Sequence, residues 1–219
     1  VNSPCFDFFF LFYDLWVGMS LWWESENSFD GANLQYSIDS QNTWNTLGNF
    51  GKPFNWYNED DISSDPGGSS EGWSGRGSSG SGGYVWVQHP LDTTIYGKEN
   101  VSFRINFASD GSAVDNGVAF DDFGISELPQ VEILSDTVIC GGSIIKTNTP
   151  ALDHIWSNGD TGNQTTLVNL DTISRMNTLI VQVSDLNGFT NLDTLIVEVL
   201  PGRDVDLGED KIACFDDCV

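Results

Sequence analysis

Positive charge is scarce in this chain. Of 219 residues only 8 are Lys or Arg, against 32 Asp or Glu, for a formal charge of −24. A surface this acidic repels a phosphate backbone and an anionic bilayer alike, which argues against nucleic acid as a partner and against direct membrane insertion. Histidine is scarcer still. His89 and His154 fall in different halves of the chain, and no G-x-S-x-G elbow, H-E-x-x-H pair or phosphate-binding loop is present, so the chain reads as a non-enzyme. Carboxylate-pair hydrolysis needs only two acids, but Glu59-Asp60-Asp61 sits in a loop and reads as a solvated or calcium-binding cluster. Four cysteines, Cys5, Cys140, Cys214 and Cys218, form no CxxC pair. That excludes a zinc ribbon or a thioredoxin-like site and points to one or two structural bridges in an oxidising compartment. Long apolar runs are missing as well. The most hydrophobic stretch, Phe6 to Met19, is broken by Asp7 and Asp14, falls short of the ~20 residues a bilayer span needs, and lacks the basic start of a signal peptide. The chain therefore reads as an excerpt of a longer protein whose export signal or anchor lies elsewhere.

What is present is β structure. Short β-branched and aromatic runs, Asn33–Ile38, Tyr84–Gln88, Val101–Phe107, Leu179–Val183 and Thr194–Leu200, recur between Asp-Gly, Asn-Gly and Gly-Gly turn signals, and no segment sustains a helical period. The predicted class is all-β, with polar loops as long as Asn58–Gly83 favouring sandwiches over a closed barrel. Tryptophan marks a boundary near Glu127–Gln130: seven of the eight precede it and only Trp156 follows. A second break comes at Pro201-Gly202, where Val131–Cys140 aligns without gaps on Val205–Cys214 at an offset of 74 residues, about one small immunoglobulin-like sandwich. Three segments result: a sandwich over 1–128, a repeat over 129–202, and the first strand of a further repeat over 203–219. The acidic surface serves solubility, and some of its carboxylates are candidates to hold calcium, a hard cation plentiful outside cells.

Two motifs sharpen the reading. Ser37-Ile-Asp39-Ser-Gln41-Asn-Thr43-Trp44 has the S-x-D-x-G-x-T-W shape of the Asp-box hairpin, with Gln41 where Gly is usual; there the Asp bonds turn amides and the Trp packs beneath, a folding device without catalytic weight. Seven tryptophans in the first segment exceed what one motif uses. A core needs aromatics, and exposed rings can stack on sugars, so Trp56, Tyr57 and Trp73, which flank the long loop, are the predicted ligand-binding candidates.

Gly117-Val-Ala-Phe120-Asp121-Asp122-Phe123-Gly-Ile125 closes the first segment and looks like the strand that ends MAM-type and related jelly-roll domains. More closely, Ser3-Pro-Cys5-Phe-Asp7, Trp23-Glu-Ser-Glu26, Phe29-Asp30-Gly-Ala32, the Asp-box hairpin, Asn55-Trp-Tyr57, Pro66-Gly-Gly68, Gly72-Trp-Ser-Gly-Arg76 and Arg104-x-x-Phe107-x-Ser-Asp110-Gly, in that order, resemble jelly-roll modules of very large surface proteins of gliding bacteria. The resemblance covers essentially Val1–Ser126. The second segment, with Ile155-Trp156-Ser-Asn-Gly-Asp160, is similar to the immunoglobulin-like or PKD-like repeats of the same proteins. The chain departs from them at Asn187-Gly188-Phe189, where the repeats usually carry the cysteine that pairs with the one in the opening strand; Cys140 is thus either free or bridged across a domain boundary. Phe8–Val17 is a second departure, lacking the usual polar turn and proline.

The resemblance implies export by type IX secretion, hence contact with secretion machinery, residence at the bacterial cell surface, and a role in adhesion or gliding through an extracellular glycan or surface ligand. An accessory region of a secreted polysaccharide hydrolase or protease is the alternative. It further implies a calcium ion tying the first and last strands, with ligands drawn from Glu24, Glu26 or Asp30 and Asp121 or Asp122. Thr93, Thr137, Thr172 and Thr194 match the short Asp-Ser/Thr-apolar pattern that such bacteria modify with O-linked glycans, although Asp-Thr also opens strands and turns.

Overall fold

A computed structural model of the chain describes all residues except 10–13, 52–54, 114, 150–152, 168–174 and 202–219. The repeat beginning near Asp204, together with Cys214 and Cys218, lies outside the described residues. By contact density the chain divides into two units, Val1–Pro129 with Ser184–Asn191, and Gln130–Val183 with the chain from Leu192 onward. Both are all-β; among the described residues the only helical elements are two 3₁₀ turns, Pro66–Gly68 and Thr93–Ile95.

The first unit is a sandwich. Strands β1 (Leu15–Glu24), β4 (Val85–Pro90) and β6 (Gly117–Glu127) form one sheet in the order β4-β1-β6, and β2 (Gly31–Ser37), β3 (Asn45–Thr46) and β5 (Ser102–Ala108) form the other in the order β3-β2-β5. Alternation explains the layering. Leu15, Val17, Met19, Leu21 and Trp23 along β1 are buried and meet Ala32, Leu34 and Tyr36 of β2 and Phe103 and Ile105 of β5 in one core. Pairing is antiparallel throughout, with Trp16 opposite Pro90 on one side of β1 and opposite Ser126 on the other. A bulge between Gly18 and Ser20 shifts the β1–β6 register, and Asp122 beside it has φ 54°, in the left-handed region.

Strand β2 is buried on both faces, and the long polar loop is the reason. Asn33 donates to the carbonyls of Pro66, at 2.6 Å, and Glu71, and Gln35 donates to that of Gly67 at 2.9 Å. Close approach requires glycine at 67: its φ is +62°, and a Cβ there would lie 2.4 Å from Gln35 Nε2. The same loop completes the edge of β2 beyond the two-residue β3. The Ala32 amide donates to the Trp73 carbonyl at 2.9 Å, the Trp73 amide returns a bond at 2.7 Å, and the Tyr57 hydroxyl accepts from the Leu34 amide and donates to its carbonyl, both at 3.0 Å.

The second unit carries the sheets β10-β12-β13-β8 and β11-β9-β7, built from β7 (Ile133–Leu134), β8 (Val138–Cys140), β9 (Ile144–Thr147), β10 (Asp153–Trp156), β11 (Gln164–Thr166), β12 (Arg175–Ser184) and β13 (Thr190–Leu200). Ile133, Ile145, Trp156, Leu179, Val181 and Val183 form its core. β8 runs parallel to β13, with Val138 opposite Glu198. Trp156 donates its indole N–H to Gly162 O at 2.8 Å, pinning the Ser-Asn-Gly-Asp turn above it.

Candidate metal site and ligand surface

Three carboxylates converge at one end of the first sandwich. Glu26, Asp30 and Asp110 each offer an oxygen within 4.8 Å of the others. Strand pairing places them: Gly31 is opposite Ala108, so the residues just outside that register, Asp30 before β2 and Asp110 after β5, are neighbours. Asp30 is only 3% exposed, and its Oδ1 accepts the Asp110 amide at 2.8 Å. Asp110 in turn accepts the Ser112 amide and hydroxyl, both at 2.7 Å, and these bonds, the amide first, hold its carboxyl below the usual carboxylate range. Ser112 Oγ also donates to Glu26 at 3.3 Å. Among the described residues the one ion pair is Arg76–Asp115, so no cationic side chain neutralises this triad by an ion pair. An all-oxygen set of three acids is a hard donor set that suits calcium, with water completing the shell.

Of the ligands the resemblance implies, the fold brings Glu26 and Asp30 together and leaves the other three apart. Glu24 is opposite Gly117 and accepts from Asn116 Nδ2 at 2.6 Å. Asp121 is opposite Ser20, four register positions farther along β1, which is about 13 Å away at the usual strand rise. Asp121 and Asp122 are exposed, and Asp121 accepts the Asp122 amide at 2.8 Å. Because β6 runs antiparallel to β1, only its first residues reach the Glu24 end. Asp110 is the acid the sequence reading missed, although the turn signal Asp110-Gly111 after a predicted strand was there to be paired with Asp30.

The aromatic candidates are corrected by burial. Trp56, Tyr57 and Trp73 are 2%, 1% and 0% exposed. They pack on one another, Trp73 edge-on to both partners with centroids 5.0 and 4.8 Å away, and their polar atoms are spent internally, Trp56 Nε1 on Leu47 O and Trp73 Nε1 on Asn55 O. The loop that looked like an exposed flank folds back as part of the sheet edge, so these rings present no face to a ligand.

The Asp-box hairpin is built as its motif specifies. Asp39 accepts from the amides of Asn42 and Thr43 at 3.1 and 2.9 Å and from the hydroxyls of Thr43 and Ser37 at 2.7 and 2.8 Å. These bonds, led by the Thr43 amide, lower its pKa to about 2. Gln41 takes φ 68° where glycine is usual, and Trp44 lies beneath the Arg104 guanidinium, 4.3 Å from ring centroid to cation.

Thr93, Thr137 and Thr194 are exposed, and Thr172 lies outside the described residues. Glu59, of the loop acids, accepts from Ser28 Oγ at 2.6 Å and from the amides of Asp60 and Asp61. His154 is buried against Thr147 Oγ1 at 2.8 Å, and His89 Nδ1 lies 2.7 Å from Pro90 O. Cys5 and Cys140 are free, exposed thiols rather than partners in a bridge. Among the described residues no helix is long and apolar enough to cross a membrane. Comparison of the chain with known protein families, with curated proteins and with solved structures finds no match.

Proposed function

We propose that this chain belongs to an extracellular bacterial surface protein in which the first sandwich is a calcium-tied ligand-display module and the second a spacer repeat. The convergence of Glu26, Asp30 and Asp110 carries the reading. A calcium ion there clamps the turn after β1, the entry to β2 and the loop after β5, and those segments otherwise hold like charges together. In this reading Glu26 supplies a ligand from the turn after β1 and Asp110 one from the loop after β5, while buried Asp30 fixes the position of the ion through its bond to the Asp110 amide. The chemistry is binding: many weak contacts made by a tandem array at high effective concentration add up to adhesion. The resemblance in the sequence supplies export by type IX secretion, the gliding-type surface setting, and O-linked glycans at exposed Thr93, Thr137 and Thr194.

Beads coated with the 219-residue chain and passed under flow over immobilised mucin and insoluble plant and bacterial polysaccharides test this. Retention in calcium that is lost in chelator is the expected result. Uniform release from every surface in calcium refutes the display role.

A further inference from the structure

We infer that the first sandwich binds a saccharide in a cleft lined by Asn27, Ser28, Asn55, Asn58, Glu59 and Ser79, and that calcium at the acidic triad strengthens this binding; the site rests on the display reading and gives it a ligand class and an address. The cleft has a volume of about 470 Å³ and lies among the turn after β1, the start of the long polar loop and the glycine-rich stretch that follows Trp73. That size falls in the range of about 300–1,000 Å³ typical of small-molecule sites.

The floor is apolar and the walls are polar. Trp23 and Trp56 lie at the base of the cleft, 7% and 2% exposed, so recognition falls to hydrogen bonds rather than to ring stacking. Glu59 accepts from Ser28 Oγ at 2.6 Å and from the amides of Asp60 and Asp61 at 3.1 and 3.3 Å. These bonds fix the carboxylate and leave room for one further hydroxyl, since a carboxylate offers about four acceptor positions. Asn55 spends Nδ2 on Trp86 O at 3.0 Å, and its Oδ1 has no partner among the described residues. Asn27 accepts the Arg76 amide at 2.8 Å and holds Ser79 Oγ at 3.5 Å through Nδ2, which leaves the Ser79 hydroxyl proton to donate. A carboxylate, amides and hydroxyls around one cleft match the neighbouring hydroxyls of a sugar ring, each of which both donates and accepts. The walls are held before the ligand arrives, which lowers the entropy cost of binding.

One turn serves both the cleft and the triad. Between Glu26 and Asp30, which bring carboxylates to the triad, stand Asn27 and Ser28, which line the cleft. The Phe29 and Asp30 amides donate to Glu26 O at 3.2 and 3.0 Å, closing the turn on itself. Ser74, 2% exposed, ties it to the long loop. Its hydroxyl accepts the Ser28 amide at 3.1 Å and donates to Asp30 O at 2.7 Å, and its own amide and carbonyl are bracketed by Asn58 at 3.0 and 2.8 Å. Without a cation Glu26, Asp30 and Asp110 repel one another, and that repulsion acts on the turn that places Asn27 and Ser28. An ion that draws the three acids together holds the cleft in its binding form, so calcium and the sugar each raise the affinity for the other by the same factor.

The test is calorimetric titration of the whole 219-residue chain with cellobiose, maltose and N,N′-diacetylchitobiose, each in calcium and in chelator, with a lysine tripeptide as contrast. At least one disaccharide is expected to bind in calcium with Kd near or below about 1 mM, and about fivefold or more weakly in chelator, the lower end of ordinary coupling between sites. Glu59→Gln, and Asn55→Gly, which suits the φ of 60° there, are each expected to weaken binding by about fivefold or more. Asn49→Ala, an exposed change outside the cleft, is expected to leave it unchanged, and Asp30→Asn to bind alike in calcium and in chelator, with melting curves showing that the variants fold. Full binding by Glu59→Gln or Asn55→Gly in folded protein, equal binding by the parent in calcium and in chelator, binding of the lysine peptide alone, or no binding by any disaccharide each overturns the assignment. Calcium-dependent retention of the coated beads alongside a silent titration leaves the display reading standing and removes this cleft alone.

Discussion

Calcium dependence of the first melting transition is the most discriminating consequence of the acidic triad. Tryptophan fluorescence reads that transition selectively, because seven of the eight tryptophans precede Pro129. An ion that binds only the folded state at about one hundred times its Kd stabilises it by about 2.7 kcal/mol. For a unit of this length each kcal/mol moves the midpoint by roughly 3–5 °C, so saturating calcium over chelator is expected to raise it by roughly 8–13 °C. Asp30→Asn keeps the acceptor for the Asp110 amide while removing the buried charge. Its calcium-free midpoint is expected at or above that of the parent, since the change removes a buried like charge beside Glu26 and Asp110, and its calcium shift is expected to collapse. Asp121→Asn and Asp122→Asn, placed along β6 away from the triad, are expected to retain the full shift. A parent protein indifferent to calcium, or an Asp30→Asn protein that still shifts fully, refutes the reasoning; so does loss of the shift on changing Asp121.

Trp73→Ala removes a side chain with no exposure and two edge-on aromatic partners, and is expected to cost about 3–5 kcal/mol in urea unfolding. Trp73→Phe keeps the ring, is expected to cost less, and remains measurable if the alanine variant fails to fold. Gly67→Ala forces a left-handed backbone and a Cβ against Gln35, for an expected loss of about 1–2 kcal/mol by the same assay, and an unchanged midpoint contradicts the packing of the loop over β2. Acid titration tests the hairpin. The folded pKa of Asp39, about 2, lies below its ordinary value, so its contribution is present above about pH 4 and is lost as pH falls from there to about 2. Melting of the parent is expected to fall across that window more steeply than melting of Asp39→Asn.

The strands were legible because periodicity and turn chemistry are local. Asn33–Ile38 and Val101–Phe107 overlap β2 and β5, Tyr84–Gln88 overlaps β4, and Leu179–Val183 and Thr194–Leu200 fall inside β12 and β13. Asp39 was legible for the same reason, since an Asp-box closes within a few residues. The loop from Asn58 onward was misread because its polarity looks like solvation, whereas it satisfies backbone: Asn58 accepts the Ser74 amide and donates to the Ser74 carbonyl. Once the loop folds back, Trp56, Tyr57 and Trp73 become core, a consequence of nonlocal pairing that composition does not encode. Asp110 escaped notice because ligand convergence depends on register, here Gly31 opposite Ala108.

The break in β6 bears on crowding. An eleven-residue strand at the rim of a sheet is a template on which another chain can add a strand, a hazard that grows with protein concentration. Here the left-handed turn at Asp122 interrupts the rim near its middle, and two adjacent exposed acids sit at the interruption. A second strand docking there must bend around the bulge and strip water from both carboxylates, so this rim disfavours the strand addition that an open edge otherwise invites.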